Sequence, residues 1–122
     1  MSNRSKKILI VEDDPSISEL IKTILDDQGF TTYTCLDGKG VLKMAKELMP
    51  NVILLDLQIP GVTGENVTRL IKNNRETAHI PVIIISAQNN LAATVRKIRA
   101  DDSIGKPFDL DHLVGIVNKY AN

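Results

Sequence analysis

The chain has one cysteine, no tryptophan and few other aromatics among its 122 residues. Cys35 alone can close no internal disulfide, and there is no cysteine cluster to hold zinc. It lies in a Thr-rich stretch and is expected to be a small buried side chain. Charge of one sign is also missing. Fifteen basic residues balance fifteen acidic ones, so no global field draws the chain to nucleic acid or to an anionic membrane, and neither is expected as a partner. No apolar run approaches a membrane span. Ile8–Val11 is too short for a signal-peptide core and ends in Glu12-Asp13-Asp14, so a cytoplasmic protein is expected. Gly38-Lys39-Gly40 lacks the spacing of a dinucleotide fingerprint, and no Walker-type lysine loop exists. His79 and His112 are isolated and belong to no Ser/His/Asp arrangement; surface or capping positions are expected for both.

What is present is an alternation of two periods. Short β-branched runs occur at Ile8–Val11, Val52–Leu55 and Val82–Ile85, with a weaker Thr-rich one at 30–36. Between them, apolar residues recur at helical spacing, as in Ile17, Leu20, Ile21, Ile24 and Leu25. Asp14-Pro15 places a cap before a first-turn proline, and Gly29 stands where the first helix should stop. Asp37 and Asp109 are placed to cap the second and last helices. A short fifth strand is required around Asp102–Gly105. Five β-α units in one domain, with a core over about residues 6–121, imply a parallel sheet covered on both faces and doubly wound.

In such a sheet, ligands bind beyond the carboxyl ends of the strands. The first run delivers Glu12-Asp13-Asp14 there, the third Asp56, the fourth Ser86-Ala87 and the fifth Lys106-Pro107. Asp56 follows four apolar residues, and a charge beside a buried strand is costly unless paired, metal-bound or reactive. Two carboxylates about 4 Å apart repel by roughly 4 kcal/mol at an effective dielectric near 20, so several together need a cation or raised pKa values. An all-oxygen donor set with few carboxylates suits Mg²⁺ better than a Ca²⁺ cage. The same parts suit phosphoryl transfer: an Asp nucleophile, a lysine and metal to neutralise charge, and a serine hydroxyl to bind a phosphoryl oxygen. Asp14 is most economically a helix cap, and Arg96, Lys97 and Arg99 the solvated face of the fourth helix.

As a set, KILIVEDD, VILLDLQIPGVTG, PVIIISA and ADDSIGKPF resemble the receiver domain of two-component response regulators, the CheY-like family, across roughly residues 6 to 121. The resemblance implies a flavodoxin-like (βα)5 fold with strand order 2-1-3-4-5. It implies that Asp56 accepts a phosphoryl group from a phosphohistidine on a histidine kinase or phosphotransfer protein. Asp13 would ligate Mg²⁺ directly, Glu12 through water, and Asp56 and the Gln58 backbone carbonyl would complete the protein ligands. Ser86 would be the switch hydroxyl and Lys106 the ammonium that pairs with the phosphate. The family usually has a cis peptide between the equivalents of Lys106 and Pro107.

Two departures stand out. Where the family usually carries an aromatic three positions before the lysine, this chain has Ser103, and the glycine that commonly precedes Ala-Asp-Asp is missing. Because the last helical pattern runs to Tyr120, a stand-alone receiver is expected, monomeric or dimerising on phosphorylation, whose output is contact with a downstream protein rather than turnover as an enzyme. The alternative is a phosphorylation-independent interaction module, which Ser103 favours and the full acidic set disfavours. A flavin protein or small phosphatase on the same sheet fits poorly, because the loop after the first strand begins Glu-Asp-Asp-Pro and would repel phosphate without metal.

Overall fold

A computed structural model of the chain describes residues 6–121. Five strands, β1 (Lys7–Val11), β2 (Thr31–Cys35), β3 (Val52–Asp56), β4 (Val82–Ser86) and β5 (Asp102–Gly105), alternate with five helices. The helices are α1 (Pro15–Asp27), α2 (Val41–Leu48), α3 (Gly64–Asn73), α4 (Leu91–Ile98) and α5 (Leu110–Ala121). All strand pairs are parallel and the order is β2-β1-β3-β4-β5, as expected.

Side chains alternate across each strand, which divides the core into two layers. Leu9, Val11, Ile53, Leu55 and Ile84 pack with residues of α2 and α3 on one face. Ile8, Ile10, Leu54, Ile83 and Ile85 pack with residues of α1 and α5 on the other. Every residue of β3 and β4 is buried. Full burial of each such aliphatic side chain contributes roughly 1.5–3 kcal/mol, which holds the central strands rigid while their carboxyl ends carry polar groups.

The helix ends mostly follow the sequence signals. Asp14 accepts from the amides of Ser16 (2.9 Å) and Ile17 (3.4 Å), with Pro15 in the first turn. Gly29 ends α1 at φ +94°. Asp109 accepts from the Asp111 amide at 2.8 Å. Asp37, by contrast, does not cap α2. Its carboxylate turns to the amide of Lys39 at 2.9 Å, and Gly40 precedes the helix without a side-chain cap. Cys35 is half-buried rather than buried, its thiol donating to the Asp37 carbonyl at 3.0 Å. His79 and His112 are both exposed. Among the described residues, no helix is long and apolar enough to cross a membrane.

Helix α4 is the lightly held element. It buries one residue, Ile98, and begins at Asn90, whose backbone is left-handed (φ 58°) and whose side chain caps nothing.

Candidate functional site

The strand order places the crevice. β2 and β3 flank β1 on opposite sides, so the connections that leave the carboxyl ends of β1 and β3 diverge to opposite faces and open a gap between them. Val11 pairs with Leu55 across this gap, so the next residues, Glu12 and Asp56, leave their strands at the same level. Ser86 pairs with Gly105 on the far side, and Lys106 follows.

Glu12 is 2% exposed, Asp56 6% and Ser86 3%, whereas Asp13 is exposed. The carboxylates of Glu12, Asp13 and Asp56 each offer an oxygen within 4.8 Å of the others. Lys106 Nζ donates to Glu12 Oε1 and to Asp56 Oδ2, each at 2.9 Å. The other oxygen of Asp56 accepts from the Gln58 amide at 3.0 Å, and Glu12 Oε2 from the Asp14 amide at 3.3 Å. The Lys106 backbone amide is bound to the Ser86 carbonyl at 2.9 Å, and Ser86 Oγ accepts from the Gln88 amide at 3.1 Å. The Lys106–Pro107 peptide is cis.

The electrostatics follow from this packing. Burial raises the pKa of Glu12; Lys106 opposes the shift, and the neighbouring Asp56 adds to it. Burial of Lys106 favours its neutral form, but its hydrogen bonds to Asp56 and Glu12 outweigh this and raise its pKa. One ammonium faces three carboxylates, so the crevice keeps an excess of negative charge. A hard divalent cation fits that donor set, and the Asp56 carboxylate is held by defined partners on both oxygens.

The structure brings Glu12, Asp13, Asp56 and Lys106 together, with the Gln58 amide on Asp56 and with Ser86 one residue beyond Ile85, the β4 partner of Asp56. Two features add detail to the sequence reading. Glu12 and Asp13 are adjacent yet dissimilar, one sunk and paired with lysine, the other open. Lys106 spans two carboxylates, so any phosphate partner must compete for it. Gly64 escaped notice in the sequence. A Cβ there would stand 2.6 Å from Leu57 Cα and 2.9 Å from the Asp56 carbonyl, so only glycine lets α3 begin against the end of β3. A glycine opening a helix, in place of the usual good helix former, was the available signal. Gly38 has a comparable role rather than a phosphate-binding one: its amide is bound to the Pro60 carbonyl at 3.0 Å, joining the β2–α2 loop to the loop after Asp56.

Residues 8–118 match the family described as response regulator receiver domain. The DNA-binding response regulator MtrA of Mycolicibacterium smegmatis is 34% identical over 119 residues, covering 96% of this chain and 51% of MtrA. The signal receiver domain of a histidine kinase from Syntrophus aciditrophicus has a TM-score of 0.86 at 30% identity, over 95% of this chain and 89% of that one. The receiver domain of a sensor histidine kinase from Pseudomonas aeruginosa, described with magnesium coordinated in its active site cleft, has a TM-score of 0.88 at 24% identity. It covers 95% of this chain and 97% of its own. The chain spans about half the length of the MtrA proteins it matches, and these are DNA-binding. The expectations of no nucleic-acid partner and of a stand-alone receiver therefore find no support among these relatives. The fold, the strand order and the matched residues together make the chain a member of the response regulator receiver domain family of two-component signalling.

Proposed function

We propose that Asp56 accepts a phosphoryl group from a phosphohistidine of a partner kinase or phosphotransfer protein, and that the chain signals through the resulting change in its surface. The observation that supports this most directly is a buried carboxylate at the end of β3, hydrogen-bonded to Lys106 at 2.9 Å and grouped with Glu12 and Asp13. In the transfer, an Asp56 oxygen forms a bond to phosphorus as the donor's phosphorus–nitrogen bond breaks and its electron pair returns to the imidazole.

Asp13, Asp56 and the Gln58 carbonyl would hold Mg²⁺, with Glu12 acting through water; the ion would supply positive charge for the phosphoryl oxygens. The remaining work falls to the protein. Gln58 N–H fixes the orientation of the nucleophile. Lys106 can leave one carboxylate oxygen for an incoming phosphoryl oxygen without leaving the crevice, since both are hydrogen-bond acceptors. Ser86, buried at the carboxyl end of β4, would supply a hydroxyl donor. The added charge of about −1.5 to −2 then biases these contacts and the loop that follows Ser86. The chain reacts on itself and is not a turnover enzyme in this reading.

The test is intact mass after acetyl phosphate, with and without Mg²⁺, on wild type and Asp56→Asn. A Mg²⁺-dependent gain of one phosphoryl group, lost in the variant, is the expected result. Equal modification of both proteins would remove Asp56 from the role. A phosphorylation-independent module is favoured by one feature, Ser103, a half-buried residue with no aromatic ring to rotate; partner binding unchanged by Asp56→Ala would support it.

A further inference from the structure

The basic run after Val95 reads in sequence as a solvated helix face. In the structure, two of its members, Lys97 and Arg99, meet Arg69 and Lys72 of α3 around a cleft of about 290 Å³, closed by Asn73 and Ile98. Both helices run antiparallel to the strands, so this cleft lies at the opposite end of the sheet from Asp56. Net charge is zero for the chain, which makes a cluster of four cations a local concentration rather than a general property.

The four are not equivalent. Lys72 is committed: its Nζ donates to Asp101 Oδ2 at 2.8 Å and to the carbonyls of Ile80 (2.8 Å) and Ala78 (3.3 Å). Arg69 spends one nitrogen on Asn66 Oδ1 at 2.7 Å. Among the described residues, no carboxylate lies within ion-pair distance of Arg69, Lys97 or Arg99. The carbonyl ends of α3 and α4 favour nearby cations, which accounts for Lys72 and Lys97. This favours Arg99 too, but Arg99 caps α4 with a left-handed backbone (φ 65°), a conformation that glycine adopts at lower cost. A charged side chain stands at the cleft where glycine would be the easier choice.

We infer that the α3–α4 cleft binds a diphosphate group. Arg69 and Arg99 present planar donor forks suited to bridging phosphoryl oxygens, and Lys97 adds a point charge. Three cations without a carboxylate partner suit a ligand carrying more than one negative charge, as a diphosphate does. The cleft, about 290 Å³, has room for that group with space to spare. The site is independent of Asp56 chemistry.

The test is an NMR titration of the full chain, without Mg²⁺, using inorganic pyrophosphate in one series and ADP in another. Saturable shifts at residues 69–73 and 97–99 are expected. Arg99→Gly should weaken binding about tenfold or more, the loss of one charge-assisted contact. Because glycine suits this backbone better than arginine, the variant should fold at least as stably as wild type, and lost binding is then not unfolding. Arg96→Gln, on the same helix but outside the cleft, should leave affinity unchanged. Binding of pyrophosphate alone would identify a free inorganic diphosphate, and equal or tighter binding of ADP a nucleoside diphosphate. Absence of saturable shifts with both probes, or shifts undiminished in Arg99→Gly, would overturn the assignment.

Discussion

The side-chain amide of Gln88 donates to Thr94 Oγ1 at 3.0 Å, tying the loop after Ser86 to the first turn of α4. The same Gln88 donates its backbone amide to Ser86 Oγ at 3.1 Å. One residue therefore links the hydroxyl in the crevice to a helix that has no side-chain cap and a single buried side chain. Gln88→Ala should free the start of α4 without touching the phosphoacceptor. Amide hydrogen exchange over residues 88–95 should accelerate several-fold, the effect of losing a bond of about 1 kcal/mol. The yield of Asp56 phosphorylation should not change. Exchange unaltered in the variant would show that other contacts hold the helix.

Lys106 is the counter-charge for two buried carboxylates. Lys106→Met should cost about 2 kcal/mol in urea unfolding without metal, somewhat less than a fully buried pair because the lysine reaches solvent. Millimolar Mg²⁺ should recover much of the loss, since a ligand that binds only the folded state stabilises it.

Glu12 gives the crevice an acid-side signature. Burial raises its pKa above the ordinary 4.5, so the folded protein binds this proton more tightly than the unfolded chain. Its contribution to stability is thus greatest at low pH and declines as pH rises through the folded value. Urea midpoints of wild type and Glu12→Gln, followed from pH 4.5 upward, should diverge with the variant losing less stability. Parallel curves would show that Glu12 does not titrate in this range.

Gly64→Ala should act on the site through the backbone. The added methyl cannot coexist with Leu57 Cα at 2.6 Å, and overpacking of this kind costs about 1–3 kcal/mol. The β3–α3 junction must shift, so both Mg²⁺ affinity and the rate of Asp56 modification should fall, while Gly115→Ala, with open space around its position, should leave both unchanged. Titration of Mg²⁺ by NMR on the two variants distinguishes these outcomes.

At the alkaline end, Tyr120 donates to Asp102 Oδ2 at 2.9 Å, and burial with the Asp102 hydrogen bond raises its pKa above 10.0. Lys106 is raised from 10.5. Both shifts favour the protonated form in the folded state, so their stabilisation is complete below the ordinary values and is lost as pH rises through the folded ones. Tyr120→Phe should cost about 0.5–1 kcal/mol near neutrality and flatten part of the decline above pH 10; an unchanged slope would assign that decline to Lys106 alone.

Much of this architecture is legible in the sequence because local and global signals agree. The all-apolar run Val52–Leu55 can only be a strand covered on both faces, and four strand ends in succession carry the polar groups of the crevice. Asp102–Gly105 forms β5 despite its composition, because Ile104 fills the core and the remaining positions are decided by pairing with β4. Asp37 was misleading because an Asx turn over two residues satisfies the carboxylate as well as a helix start would. The difference between Glu12 and Asp13 is set by which face of the turn packs on Lys106, a tertiary matter with no period to betray it. The cleft beside Arg99 was invisible for the same reason: Arg69 and Lys97 are far apart in the chain and meet only because α3 and α4 lie side by side.

The distribution of charge has a consequence for how this neutral molecule meets others. Glu12, Asp13 and Asp56 gather at the carboxyl end of the sheet, and Arg69, Lys97 and Arg99 at the opposite end. With no monopole, attraction at long range vanishes, but a dipole along the strands remains and exerts a torque on the molecule as a partner nears. A basic surface would find the Asp56 end turned toward it and an acidic one the α3–α4 end, before any side chain touches. Within about one Debye length, roughly 8 Å at physiological ionic strength, orientation becomes a salt-dependent part of the encounter rate, even though the sum of the charges is zero.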